Sequence, residues 1–211
     1  GLIHLPARVV GIIGLAIVVG HNTLDGVPAS AFGPLAWKWH VLHQPGLITI
    51  GPISAVAGYP VLPWAGVMAL GFWAAGIYAW TPERRTRVLQ IAGLGALVGF
   101  VVLRTLNGYG DPAPWSSQAS PVMTAVSFLN TTKYPPSLIF VLMTLGPAAL
   151  LLAWLERAMP GTRHPFVVFG RVPFAYYVVH FWLLHLAAAL AAFLRYGSAA
   201  WGFFWHPLPS M

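Results

Sequence analysis

The stretch FLNTTKYPPSLIFVLMTLGPAALLLAWLER, residues 128–157, sets a polar block directly against a long apolar run. From Ser137 to Leu155 no side chain is charged. At about 1.5 Å rise per residue, a helix needs roughly 20 such residues to cross a hydrocarbon core. Before the run stand Asn130, Thr131, Thr132, Lys133 and Tyr134, then Pro135 and Pro136. A residue preceding proline is pushed out of helical geometry, so an extended approach to the helix is expected here. The run reads as a membrane span and the block as the rim of a water-facing mouth. Asn130-Thr131-Thr132 is also a glycosylation sequon, which matters only in a chain from a secretory pathway.

The rest of the chain repeats this division. Of 211 residues, 58% are hydrophobic and only 7% charged, where a soluble domain carries about a quarter charged. Four further spans are expected: between Arg8 and His21, Pro63 to Trp80, Val88 to Leu106 and Pro173 to Leu194. The first is short unless its helix runs beyond the flanking polar residues. The predicted fold is all-α, a polytopic transmembrane bundle of about five spans in a single domain over residues 1–211. The absence of an initiator Met and of any terminal element leads to the expectation that this is a piece of a longer protein.

The net charge of +7 is scattered, with no basic stripe or aromatic platform, so no nucleic-acid partner is expected. It is ordered instead by side. If the helices alternate, Arg8, Arg84, Arg85, Arg87, Arg157, Arg163 and Arg171 fall on one face of the membrane, and Lys38, Arg104, Lys133 and Arg195 on the other. Lys and Arg accumulate in cytoplasmic loops, which makes the start of the chain cytoplasmic. Two long loops, residues 21–60 and 107–134, then share the external side. The first contains LAWKWHVLHQPG, which reads as a segment lying at headgroup level. The sequence contains no cysteine, which excludes disulfides and thiolate metal sites.

Several polar residues are candidates for chemistry. His21 and Asp25 share a face if the first helix continues, which suits a carboxylate orienting an imidazole; otherwise Asn22 and Asp25 cap the helix end. His180, central in the fifth span, is expected to be buried, as a proton-carrying group or as a helix-packing hydrogen bonder. His185 points elsewhere and reads as packing. His40 and His43, three apart, would bind a metal only together with Asp25 or Asp111. No Glu-x-x-His or His-Glu-x-x-His pattern occurs, so no metal centre is expected. Arg104 and Lys133 either hold an anionic group at the mouth or make local pairs, Arg104 with Asp111. Arg171 either anchors the fifth helix or binds a headgroup or nucleotide phosphate. No phosphate-binding loop, dinucleotide fingerprint or nucleophile elbow is present.

The blocks GHNTLDGV (20–27), YPVLPWAGVMALGFWAAG (59–76), VVLRTLNGYGDPAPW (101–115), the stretch at 128–157 and FGRVPFAYYVVHFWLLHL (169–186) together resemble a bacterial membrane family. This is the uncharacterised group related to the catalytic domain of heparan-alpha-glucosaminide N-acetyltransferase, and the resemblance spans residues 12–196. It implies a multi-pass protein of the bacterial cytoplasmic membrane that is similar to enzymes passing acetyl from cytoplasmic acetyl-CoA to a sugar amine across the bilayer. The family's aspartate-leucine-arginine-glycine motif does not occur in this chain, so its catalytic histidine is not carried over to His21. The enzyme reading expects His21, Asp25 and His180 to be catalytic and Arg171 to meet the cofactor. It assigns Asn22, Arg104, Asn107, Asp111, Asn130, Lys133 and Tyr134 to acceptor binding. The alternative is a non-catalytic subunit packed beside other membrane proteins, or self-associated.

Overall fold

The computed structural model describes residues 4–50, 52–158 and 165–198. Arg163, expected on the cytoplasmic face, lies outside the described residues. The chain divides into two units, Gly1–Ala158 and Met159–Met211. Among the described residues five helices are long and apolar enough to cross a membrane: Ala7–Leu24, Val61–Ala79, Pro82–Leu106, Leu138–Ala158 and Pro173–Tyr196. The protein is thus an all-α polytopic membrane protein, with one small hairpin added.

The first unit contains α1 (Ala7–Gly20), α2 (Ala36–Leu42), strands β1 (Gly46–Ile50) and β2 (Ile53–Ala57), α3 (Val61–Ala74), α4 (Pro82–Leu106), α5 (Pro121–Leu129) and α6 (Leu138–Ala158). The first span crosses because α1 begins before Arg8 and runs on into a 3₁₀ turn, His21–Leu24. The third starts earlier than hydropathy indicates. Thr81 caps α4, Pro82 occupies its first turn, and Arg84, Arg85 and Arg87 are therefore helical rather than in a loop. At the other end Asn107 adopts the left-handed conformation that ends helices.

Lipid supplies no hydrophobic force between helices, so they associate by close packing at small residues. A Cβ on Gly14 of α1 would lie 2.8 Å from the Leu70 amide and 2.9 Å from the Gly66 carbonyl of α3. A Cβ on Gly93 of α4 would lie 2.9 Å from the Gly146 carbonyl of α6. The contacts run antiparallel, since Gly11 meets Trp73 while Gly66 meets Ile17. In the second pair Gly93 meets Leu150, and Gly99 meets Leu142. Arg85 and Glu156 close that pair at one end with a two-pronged ion pair, Nε donating to Oε1 at 2.8 Å. Val18, Leu138 and Val141 form the core where all four helices meet, with Val67, Leu70 and Leu103 against them. Ile12, Leu15, Met68, Ile91 and Leu151 remain exposed, as lipid-facing positions require.

Alternation brings the end of α1, the start of α3, the end of α4 and the start of α6 to one end of the unit. The two long loops do share a side. In the first, β1 and β2 form an antiparallel hairpin, Gly46 opposite Ala57 and Ile50 opposite Ile53, where the sequence led us to expect only loop. Trp39 of α2 donates from Nε1 to the Val27 carbonyl at 3.0 Å and stacks on Phe32, which ties α2 to its own loop.

The second unit contains α7 (Pro165–Arg171) and α8 (Pro173–Tyr196). No residue of α8 is buried. Its apolar side chains, Phe174, Trp182 and Leu194 among them, are exposed.

Candidate functional site

The rim block is built around the start of α6. A helix leaves its first amides without partners inside itself, and three separate segments supply them here. Leu138 N–H donates to Asn22 Oδ1 at 2.9 Å, Ile139 N–H to the Gly110 carbonyl at 3.0 Å, and Phe140 N–H to Ser137 Oγ at 3.0 Å. Ser137 is thus the cap, and it donates in turn to Asp111 Oδ2 at 2.8 Å. The expected extended approach is instead a tight turn through a cis Tyr134–Pro135 bond.

Asp111 is saturated. It accepts from Ala113 N–H (2.8 Å), Thr132 N–H (2.9 Å), Thr132 Oγ1 (2.8 Å) and Ser137 Oγ, four donors for the roughly four lone-pair directions of a carboxylate. Arg104 does not pair with it, contrary to expectation. Arg104 is 1% exposed and donates to four backbone carbonyls: Phe128 (2.9 Å), Ala113 (2.9 Å), Ser127 (3.0 Å) and Asn130 (2.6 Å). A guanidinium fork suits several converging carbonyls, so this charge is held inside and does not snorkel. Asn107 is likewise occupied, exchanging hydrogen bonds with the Trp115 backbone at 2.9 and 3.0 Å. Arg104, Asn107 and Asp111 thus spend polar groups on holding the mouth's own loop. Asn130 and Lys133 are exposed. The Lys133 ammonium stands 5.2 Å from the Tyr134 ring centre.

The cluster that does gather lies behind this rim. In a 3₁₀ turn residues three apart eclipse, so the turn after α1 aligns Asn22, not His21, with Asp25. Asn22 Nδ2 donates to Asp25 Oδ2 at 2.7 Å. The expected His21–Asp25 pairing is therefore absent. Asp25 Oδ1 is taken by His43 Nε2 at 3.0 Å, from α2's far end. The rings of His21 and His43 meet edge to face at 5.6 Å. One nitrogen of each imidazole and an oxygen of Asp25 lie within 4.8 Å of one another. His21 is 3% exposed and His43 2%. Both ring nitrogens of His21 and Nδ1 of His43 are buried without a hydrogen-bond partner; the Pro136 carbonyl lies beside His21 but outside bonding geometry. His40 is elsewhere, packed on Gly46 with Nδ1 3.1 Å from the Gln44 carbonyl, so it does not act with His43.

Asp25 and His43 open on a cavity of about 300 Å³ whose other walls include Gln44, Thr132, Tyr134 and Pro135. Tyr134 meets Tyr59 edge to face at 4.9 Å. Its phenol is held below the usual tyrosine range, first by the hydroxyl contact with Tyr59 and then by Lys133. Tyr109 donates to the Val19 carbonyl, and burial, with Asp25 nearby, pushes its phenol up. A second, apolar groove of about 590 Å³ runs between α1 and α3 along Val10, Trp64, Met68 and Phe72, and no carboxylate or imidazole lines it.

In the second unit His180 is not buried as expected. Its Nδ1 bonds its own helix at the Tyr176 carbonyl (3.0 Å) and its ring stacks on Tyr176 at 5.2 Å. His185 does the same with Phe181 at 2.8 Å. Arg171 is exposed at the last position of α7.

Sequence reasoning named His43 only beside His40, as a metal ligand that would need Asp25 or Asp111, and did not bring His21 to it. It missed Ser137 and Tyr109, whose roles depend on partners 26 and 90 residues away, and placed Thr132 on the rim without its bond to Asp111. No family model, curated protein or solved structure matches this chain.

Proposed function

We propose that this is a membrane-embedded, acyltransferase-like protein of the bacterial cytoplasmic membrane, passing acetyl from acetyl-CoA to a hydroxyl or amine of a sugar or glycan across the bilayer. The observation that carries the reading is the Asp25–His43 pair at the wall of a cavity of about 300 Å³, roughly the lower limit for small-molecule sites. A carboxylate that orients an imidazole is the arrangement a poorly acidic acceptor needs to lose its proton. The family resemblance supports the choice of donor and acceptor.

In this reading the acceptor sits in the cavity against Tyr134 and Thr132. Its oxygen or nitrogen bonds to the thioester carbonyl carbon as the C–S bond breaks. Its proton passes to the Asp25–His43 pair and returns to the departing CoA thiolate. Asn22 fixes the carboxylate by holding Oδ2.

The test is acetyl transfer by the protein in proteoliposomes, with labelled acetyl-CoA on one side and glucosamine on the other. Asp25→Asn and His43→Ala should each slow transfer on the order of 100-fold or more, the usual contribution of a positioned base, while eluting as the parent does. Unchanged rates in both variants overturn the assignment. No transfer by the parent, together with fixed-ratio association with unrelated subunits in native mass spectrometry, would replace the enzyme reading with the accessory-subunit one.

A further inference from the structure

The geometry points to a transition-metal site formed by His21, Asp25 and His43, taking a zinc-like divalent ion; we propose it as a site whose occupancy competes with proton transfer at the Asp25–His43 pair. Only the consequence for catalysis rests on the acetyl-transfer reading. The binding itself does not.

Two independent observations converge. The first is the donor set: two imidazoles and one carboxylate with ligand atoms within 4.8 Å. Bonds of about 2.1 Å place tetrahedral ligands roughly 3.4 Å apart. His43 Nε2 and Asp25 Oδ1, at 3.0 Å, already stand near that spacing. The second is His21, which is 97% buried by its 3% exposure and has both nitrogens without partners. A buried polar atom left unsatisfied costs about 1–3 kcal/mol, and the carbonyl beside this ring, that of Pro136, is outside bonding geometry. A metal bond satisfies one of its two nitrogens directly.

The surroundings fit as well. Ligating carboxylates are themselves held by hydrogen bonds, and Asn22 Nδ2 holds Asp25 Oδ2 at 2.7 Å while its Oδ1 is anchored by the Leu138 amide. Asp25 and His43 face the cavity, which leaves a side for water or a small ligand. Imidazole with carboxylate suits zinc, cobalt, nickel or ferrous iron; magnesium and calcium prefer oxygen alone. An ion bound there takes up the same Asp25 Oδ1 and His43 Nε2 that face each other at 3.0 Å in the proton-transfer pair.

The chain has no cysteine, which makes a clean spectroscopic test possible. Cobalt(II) added to the chelator-washed, untagged protein in detergent should give visible d–d absorption that saturates at one ion per chain and is displaced by zinc but not by magnesium. His21→Ala should weaken cobalt binding on the order of 100-fold or more, since even outer-shell losses cost 10–100-fold. His185→Ala should leave it unchanged. Should His21→Ala fail to fold, His21→Cys serves instead: a thiolate-to-cobalt charge-transfer band appears only if residue 21 is a ligand. No saturable absorption in the parent, or none of that band in a folded His21→Cys protein, overturns the site. Cobalt binding without acetyl transfer would remove the proposed function and keep the metal site. Acetyl transfer that zinc does not inhibit would keep both and remove the competition between them.

Discussion

At the scale of single residues, the charges of this protein divide into those that build and those that face the cavity. Asp111 and Arg104 build. Neither has the other as partner; each instead collects backbone and hydroxyl groups from several loop segments. Hydrogen bonds to a charged group contribute about 1.5–3 kcal/mol each, without simple additivity. Asp111→Ala is therefore expected to destabilise the protein by about 3 kcal/mol or more, read as a lowered midpoint of thermal unfolding in detergent. A midpoint equal to the parent's would mean that the loop holds its form without this carboxylate. Asp25 differs because one face of it reaches the cavity.

At the scale of helices, the antiparallel pairs stand on glycine contacts. A methyl at Gly14 meets backbone, the Leu70 nitrogen at 2.8 Å and the Gly66 oxygen at 2.9 Å, and backbone in a packed helix cannot yield cheaply. Gly14→Ala should destabilise by about 1–3 kcal/mol, the usual range for overpacking. Gly71→Ala, where a Cβ meets nothing within 4 Å, should cause no loss. Unfolding of both variants side by side checks the contrast, and equal midpoints would mean that α1 and α3 do not approach as described. The start of α6 shows a different use of an element: its free amides organise Asn22, Gly110 and Ser137, and thereby carry the rim to the His43 cluster.

At the scale of the molecule, alternation of α1, α3, α4 and α6 places Ser117 and Glu83, both exposed, at opposite ends of the first unit. Because no native thiol competes, a single cysteine at each position can be labelled with a membrane-impermeant reagent. Right-side-out vesicles should label Ser117→Cys and inside-out vesicles Glu83→Cys, as the excess of arginine near Glu83 requires of a cytoplasmic side. Labelling of both from one side would break the alternation.

What the sequence alone determined is the part that depends on local sums. Hydropathy over roughly 20 residues decides whether a segment is stable in lipid, so five spans and their order were legible in composition, and the alternation of those spans made the shared side of the two long loops legible as well. Boundaries shifted where capping overrode hydropathy, at Thr81–Pro82 and in the turn after Gly20. The hairpin of β1 and β2 escaped notice inside a loop otherwise read from its aromatics and histidines. The candidate site was legible as a set of polar residues and illegible as an arrangement. His21 and Asp25 were paired by helical spacing, but a 3₁₀ turn gave Asp25 to Asn22 and left His21 to face His43. Arg104 was paired with Asp111 by charge, yet converging carbonyls held it instead. Apart from the Asn22–Asp25 bond, three residues apart, such choices turn on partners 9 to 116 residues away, brought together only when the helices pack, and no local pattern in the chain encodes which of several polar groups arrives first at a given oxygen.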